Sequence, residues 1–240
     1  MSPALNIQYT FSFQSGEKRE ILLRLDENTL ALLPTMKHAL PSWADLSFHT
    51  CKGCPLDPAE NPHCPIAVQL VDIVKIFHEH YSCDEVTVEV VDSRRRYIKE
   101  TSLQEGLGSL TGIIMVTSGC PVLAPLRPMV RFHLPFASLE ETGFRMISMY
   151  LVTQYMREKN GKKPDWTLGG LQAIYDEVQN VNRYFANRIR VASEKDASLN
   201  AIVILDCFAK AVPIAIKTMM KDYEKNFYGF EKEPEDTDSP

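Results

Sequence analysis

The chain changes its hydrophobic period once, near residue 101, and that change limits what it can fold into. Before it, apolar residues recur every second position. Ile7, Tyr9, Phe11 and Phe13 alternate with polar residues, and Ile21, Leu23 and Leu25 do so again. Alternation places one set of side chains on one face of a strand, and Ser15-Gly16 between the two runs supplies a hairpin turn. Leu46, Phe48 and Thr50 suggest a third strand, Val86, Val88 and Val90 a further one, and Tyr97 to Lys99 a last one after an Asp92-Ser93 turn. Asp26 can cap a short helix that stops near Pro34. Ile66, Leu70, Val74 and Phe77 share one helical face behind Pro65, so a longer helix is inserted among the strands.

After residue 101 the spacing becomes three and four. Ser102 to Glu105 and Ser138 to Glu141 both have the form of a capping box, the second opening a helix that runs to about Lys159. Thr167 can cap a helix striped by Leu168, Leu171, Ile174, Val178, Val181, Phe185 and Ile189. A last, very apolar helix spans Leu199 to about Lys225, with Pro213 as its expected kink. The expectation is an α+β chain. A small, mostly antiparallel sheet with an inserted helix occupies residues 1–101, packed on a helical bundle over 102–230. The acidic tail, 231–240, lacks apolar anchors and reads as disordered.

Composition sets the function classes. The chain has 240 residues, 45% of them hydrophobic and 24% charged, enough to bury a core without staples. A net charge of −5 argues against nucleic acid or an anionic membrane as the main partner. Arg94, Arg95 and Arg96 fit a charged edge strand better than a nucleic-acid contact. The uncharged stretch Gly106 to Leu126 is long enough to cross a bilayer, yet its glycines, prolines and hydroxyl residues mark a buried core segment. The first residues carry no basic or apolar run of a signal peptide, so a cytoplasmic setting is expected. There, cysteines serve as metal ligands, as nucleophiles or as buried side chains, and not as a disulfide framework.

Four of the six cysteines stand in unusual company. Cys51-Lys52-Gly53-Cys54-Pro55 is followed by His63-Cys64-Pro65, giving a C-x2-C-x9-C spacing, and Ser118-Gly119-Cys120-Pro121 lies far along the chain. Three of the four precede proline. Two cysteines two residues apart can aim both sulfurs at one point through a glycine turn. A third can return if the intervening loop folds back. That loop, Leu56 to His63, has little core of its own, which a bound ion would supply. Pro65 opens a helix, so Cys64 becomes its N-cap, where the helix end favours a thiolate. Cys51, Cys54, Cys64 and Cys120 are therefore the expected ligands of one metal centre. The metal is an iron–sulfur cluster, slightly favoured by the Cys-Pro context, or zinc, for which His49 or His63 could replace a cysteine. A redox-active Cys51–Cys54 pair is the weaker reading, because no helix begins directly after it.

Other signals are weaker. Gly106 to Gly112 has one residue too many for a dinucleotide fingerprint, and close helix packing explains it better. His78-Glu79-His80 lacks the i, i+4 spacing of a zinc helix. Arg127, Arg131, His133 and Arg145 bracket an apolar stretch. They read as ion pairs with Glu140, Glu141 or Asp206, or as the edge of an anion pocket. Asn180, Asn182 and Arg183 interrupt the striped helix and read as buried hydrogen-bonding groups. The alternative to a metal protein is thus a ligand sensor or enzyme whose pocket lies in the helical part, edged by Arg127, Arg131, His133 or Asn182. A protein partner docking on the helical part is a third reading. The segments FHTCKGCPLDPAENPHCPIAV, SLQEGLGSL and SGCPVLAPLRPMVRFHLPFAS resemble an uncharacterised bacterial domain family. The resemblance implies one inseparable unit and transfers no activity and no functional residue.

Overall fold

A computed structural model describes residues 4–33, 39–193, 195–224 and 226–227. Four strands form one antiparallel sheet in the order β2-β1-β3-β4: β1 Ala4–Phe13, β2 Lys18–Asp26, β3 Glu85–Val91 and β4 Arg96–Ser102. The alternation acts as expected. Ile7, Tyr9 and Phe11 of β1, Ile21, Leu23 and Leu25 of β2, and Val86, Val88 and Val90 of β3 are all buried on one face. The edge strand β4 buries none of its side chains fully, and Arg96 on it pairs with Glu89 at 2.7 Å.

Helix α1 (Pro65–Ile76) is inserted between β2 and β3 and buries Ile66, Ala67, Leu70, Ile73 and Val74. Four helices follow the sheet: α2 (Leu103–Thr117), α3 (Leu139–Lys159), α4 (Gly169–Ala192) and α5 (Ala197–Glu224). A 3-10 segment, Ala124–Phe132, links α2 to α3. The buried apolar residues of the sheet, α1, α2 and α4 form one continuous core. The α+β architecture read from the sequence is the observed one. No described helix is long and apolar enough to cross a membrane.

The close packing expected of the glycine-rich stretch is seen at Gly106. A methyl group there would meet Phe11 Cε1 and Val88 Cγ2 at 2.8 Å, so α2 rests directly on the sheet face. Beside that contact, Tyr9 on β1 links the sheet to the helices. Its hydroxyl is 2.9 Å from Ser109 Oγ and 2.7 Å from His133 Nε2.

Several local expectations fail, each for a physical reason. Asp26 starts no helix. Its Oδ1 accepts from the amides of Asn28 and Thr29, an Asx turn, and Leu30 then reverses the chain at φ 56° so that Leu32 bridges back to Leu25. Residues 34–38 lie outside those described. Leu46 to Thr50 is no strand but a run of turns, in which the Thr50 hydroxyl donates to the Leu46 carbonyl at 2.6 Å. Among the described residues the sheet therefore has four strands. Ser102 sits at the N-cap of α2 without closing a capping box, because Glu105 is taken by Lys99 and Thr101. The second box, Ser138 with Glu141, forms in full. At α4 the N-cap position is Leu168, not Thr167, and the carboxylate that reaches the first turn is that of Asp165. This carboxylate accepts from the Thr167 amide and hydroxyl, the Gly170 amide and the Tyr150 hydroxyl, bonds that hold it well below the usual carboxylate range. Helix α5 keeps its helical assignment through Pro213, the position of the expected kink. The tail from 228 on lies outside the described residues.

Candidate functional site

The cysteine loop is closed at its neck by backbone bonds. Leu46 N donates to Pro62 O and Cys64 N to Ala44 O, both at 2.8 Å, so residues 46 to 62 form a pinched lobe. Within it, Cys54 N donates to Cys51 O at 3.0 Å, and Gly53 takes φ 76°, a left-handed conformation that costs glycine nothing. Asp57 shapes the far end, its Oδ1 accepting from Ala59 N at 2.9 Å. Cys64 is the N-cap of α1, with Pro65 at the first helical position, as the sequence implied.

Helix α4 holds this lobe in place. Asn180 Nδ2 donates to the Lys52 carbonyl at 2.8 Å, inside the C-x2-C turn. Arg188, only 2% exposed, donates one guanidinium nitrogen to the carbonyls of Trp43 and, at 2.7 Å, Asp45. Its charge also lies 5.7 Å from the centre of the Phe48 ring. The lobe thus draws part of its order from α4 and does not depend on an ion for all of it.

The fourth cysteine arrives from the end of α2. Cys120 N donates to Ser118 Oγ at 3.3 Å, and Gly119 before it takes φ 100°, directing the chain toward the start of α1. The amides of Leu123 and Val122 reach the Cys120 sulfur and stabilise its anion. Cys120 itself lies outside the helical segment, which begins at Ala124 with Leu123 as its N-cap.

Cys51, Cys54, Cys64 and Cys120 line one small cavity, walled by Leu56, Pro65, Val122, Val181, Phe185 and Arg188. Its volume of about 20 Å³ admits a single water-sized sphere. Burial pushes the Cys51 thiol up to about 12, the neighbouring thiols of Cys64, Cys54 and Cys120 add to this, and Arg188 opposes it. Burial likewise raises the Cys120 thiol against the pull of its two amides. Burial lowers Arg188, while the sulfurs of Cys64, Cys51 and Cys54 act the other way. The four thiols are therefore electrostatic neighbours of one another, and those of Cys64, Cys51 and Cys54 are also neighbours of the Arg188 guanidinium. They are not drawn into ligating geometry: among the described residues no three His, Cys, Asp or Glu side chains surround one metal-sized point. All six cysteines are free thiols, and Cys83 and Cys207 are exposed and do not line this cavity. His49 lines the cavity, with its backbone at φ 48°. His63 turns instead to the loop neck, its Nδ1 3.2 Å from Asp45 Oδ1.

The remaining sequence signals are structural. His78 Nδ1 lies 2.7 Å from the Lys75 carbonyl, and His80 stacks on Phe13 with ring centres 4.3 Å apart. The arginines around the 3-10 segment use carbonyls where ion pairs were expected. Arg145 donates to the Met129 and Phe132 carbonyls at 2.9 and 2.8 Å, and Arg127 to the Val116 carbonyl at 3.4 Å. Glu141 is occupied by its capping box, and Asp206 pairs with Lys210. A second, larger cavity of about 490 Å³ lies among α2, the 3-10 segment, α3, α4 and α5. Of the residues expected to edge such a pocket, His133 and Asn182 line it and Arg127 and Arg131 do not; Arg145 and Tyr175 take their place. Arg188 and Tyr175 were not legible as site residues, since each continues the helical stripe of α4 without any motif.

The chain belongs to the family described as Domain of unknown function (DUF6901), whose profile matches residues 7–228. Neither the curated proteins nor the solved structures contain a match.

Proposed function

We propose that this member of the DUF6901 family binds a metal centre through the thiolates of Cys51, Cys54, Cys64 and Cys120, an iron–sulfur cluster whose work is electron transfer or redox sensing. The observation that carries the reading is convergence. The loop carrying Cys51, Cys54 and Cys64 and the distant Cys120 segment bring four of the six cysteines to one cavity, while the two outside the Cys-Pro and C-x2-C contexts stay exposed elsewhere. Four thiolates around one centre need compensation, and Arg188 together with the Val122 and Leu123 amides offers it. Binding requires loss of the thiol protons and closure of the thiols on one point. Gly53 and the absence of large buried side chains between Leu56 and His63 make the C-x2-C turn easy to adjust. The raised Cys51 thiol weighs against a thioredoxin-like pair, which needs a lowered one.

A structural zinc ion is the second reading, favoured by the single-atom size of the cavity. The test is metal, sulfide and visible absorption measured on protein expressed and purified without oxygen. Iron with equimolar sulfide and a brown colour supports the cluster. Colourless protein with about one zinc per chain supports the second reading. Neither metal, with all thiols free, removes both. Cys51→Ser, Cys54→Ser, Cys64→Ser and Cys120→Ser are each expected to deplete the metal, whereas Cys83→Ser and Cys207→Ser leave it unchanged.

A further inference from the structure

The large cavity on the other side of α4 is independent of the thiols. Its volume of about 490 Å³ lies within the range of small-molecule sites. Its walls are mainly apolar, with Ile113, Val116, Leu126, Met129, Leu205 and Phe208 among them. Gly108 and Gly112 of α2 help to keep it open. A methyl group at either would only come into ordinary contact with α5, at 3.6 Å from Ile204 and 3.5 Å from Leu205.

Two polar groups in this apolar room, Arg145 and Asn182, are donors without acidic partners. Arg145 spends one nitrogen on two carbonyls, and no Asp or Glu among the described residues lies within ion-pairing distance of it. Its nearest acidic influence, Glu141, is bound in the α3 capping box. Asn182 is 2% exposed, and its Nδ2 has no hydrogen-bond partner. A buried amide donor left unmade is costly and rare in native interiors. Tyr175, buried about two turns earlier on α4, is an electrostatic neighbour of Arg145. The acid that also lines the cavity, Glu105, is committed to Lys99 and Thr101. His133 is committed to Tyr9, and burial holds its ring neutral, down to about 3.

We infer that this cavity is a binding site for a small, mainly apolar molecule carrying one carboxylate, whose acid group meets Arg145 and Asn182 while its hydrocarbon part fills the space between α2 and α5. One guanidinium and one neutral donor match a single carboxylate. A phosphate would call for more cationic charge than the described lining holds.

Equilibrium binding of octanoate, decanoate, dodecanoate and 1-naphthoate to the full chain tests this, with decylamine as the opposite-charge control. At least one acid is expected to bind one per chain, and decylamine not at the same concentrations. Arg145→Gln is expected to weaken the acid about tenfold to a hundredfold. Leu205→Trp, which fills the space, is expected to abolish binding while circular dichroism stays that of the parent. The Leu205 variant carries the test if loss of the Arg145 carbonyl contacts disturbs folding. Failure of all four acids on folded protein overturns the inference. So does equal binding of decylamine, or acid binding undiminished in Leu205→Trp. None of these outcomes depends on whether the thiols hold a metal.

Discussion

Two glycines on one helix are expected to respond in opposite directions to the same substitution. In Gly106→Ala the new methyl lies 2.8 Å from Phe11 and from Val88, each 0% exposed and fixed in the sheet. Ordinary carbon contacts need about 3.5 to 4.0 Å. Relief therefore requires α2 to lift from the sheet, at the upper end of the about 1–3 kcal/mol that overpacking costs. Alanine returns about 1 kcal/mol of helix propensity, leaving a net loss of about 2 kcal/mol. In Gly112→Ala the methyl meets only Leu205, at 3.5 Å, which is normal contact, so the propensity gain survives at about 0.5–1 kcal/mol. Urea titration followed by circular dichroism, with unchanged slopes, measures both. In thermal melts a chain of this size moves about 2–4 °C per kcal/mol, so Gly106→Ala should melt about 4–8 °C lower and Gly112→Ala slightly higher. Shifts of the same sign and size would refute the idea that α2 sits hard against the sheet at one glycine and loosely against α5 at the other.

Arg188→Met leaves the partly buried Trp43 and Asp45 carbonyls without their donor and should cost about 2–4 kcal/mol in urea titration. Arg188→Lys should recover about half of that through one surviving bond, and a loss below about 1 kcal/mol for Arg188→Met would mean that α4 does not anchor the lobe. The metal-free, reduced protein should weaken in alkali. A thiol at about 12 in the folded chain against 9.0 ordinarily retains its proton longer than in the unfolded chain, so the stability it contributes is present below pH 9 and lost as pH rises toward 12. Cys51→Ala should flatten that slope between pH 9 and 10.5, and an unchanged slope would count against the burial of this thiol.

What the sequence made legible follows from how repetitive each signal is. Period-two runs in β1, β2 and β3, and the long stripe of α4, were repeated often enough to outweigh any local preference. Leu46 to Thr50 offered only three alternating positions, and turn bonding within the lobe overrode them. The capping motif at Ser102 was correct in form, but Glu105 found a stronger partner in Lys99, which lies across the chain reversal and has no fixed spacing to it. The C-x2-C, His-Cys-Pro and Gly-Cys-Pro segments announced themselves by composition, and their common cavity depended on tertiary placement that the spacing alone did not determine. Arg188, Arg145 and Tyr175 were hidden for the same reason: a single side chain on a helix carries no signal until its neighbours are known.

Helix α4 is a party wall. Val181, Phe185 and Arg188 face the sulfur side, and Val178 and Asn182 face the larger room. The strand of chain just past Cys120 is divided in the same way, Val122 to one side and Leu123 to the other. A tenant in either chamber that shifts this partition by a fraction of an ångström alters the fit next door, and thermodynamics makes the influence mutual: by whatever factor one occupant changes the other's affinity, the favour is returned in equal measure.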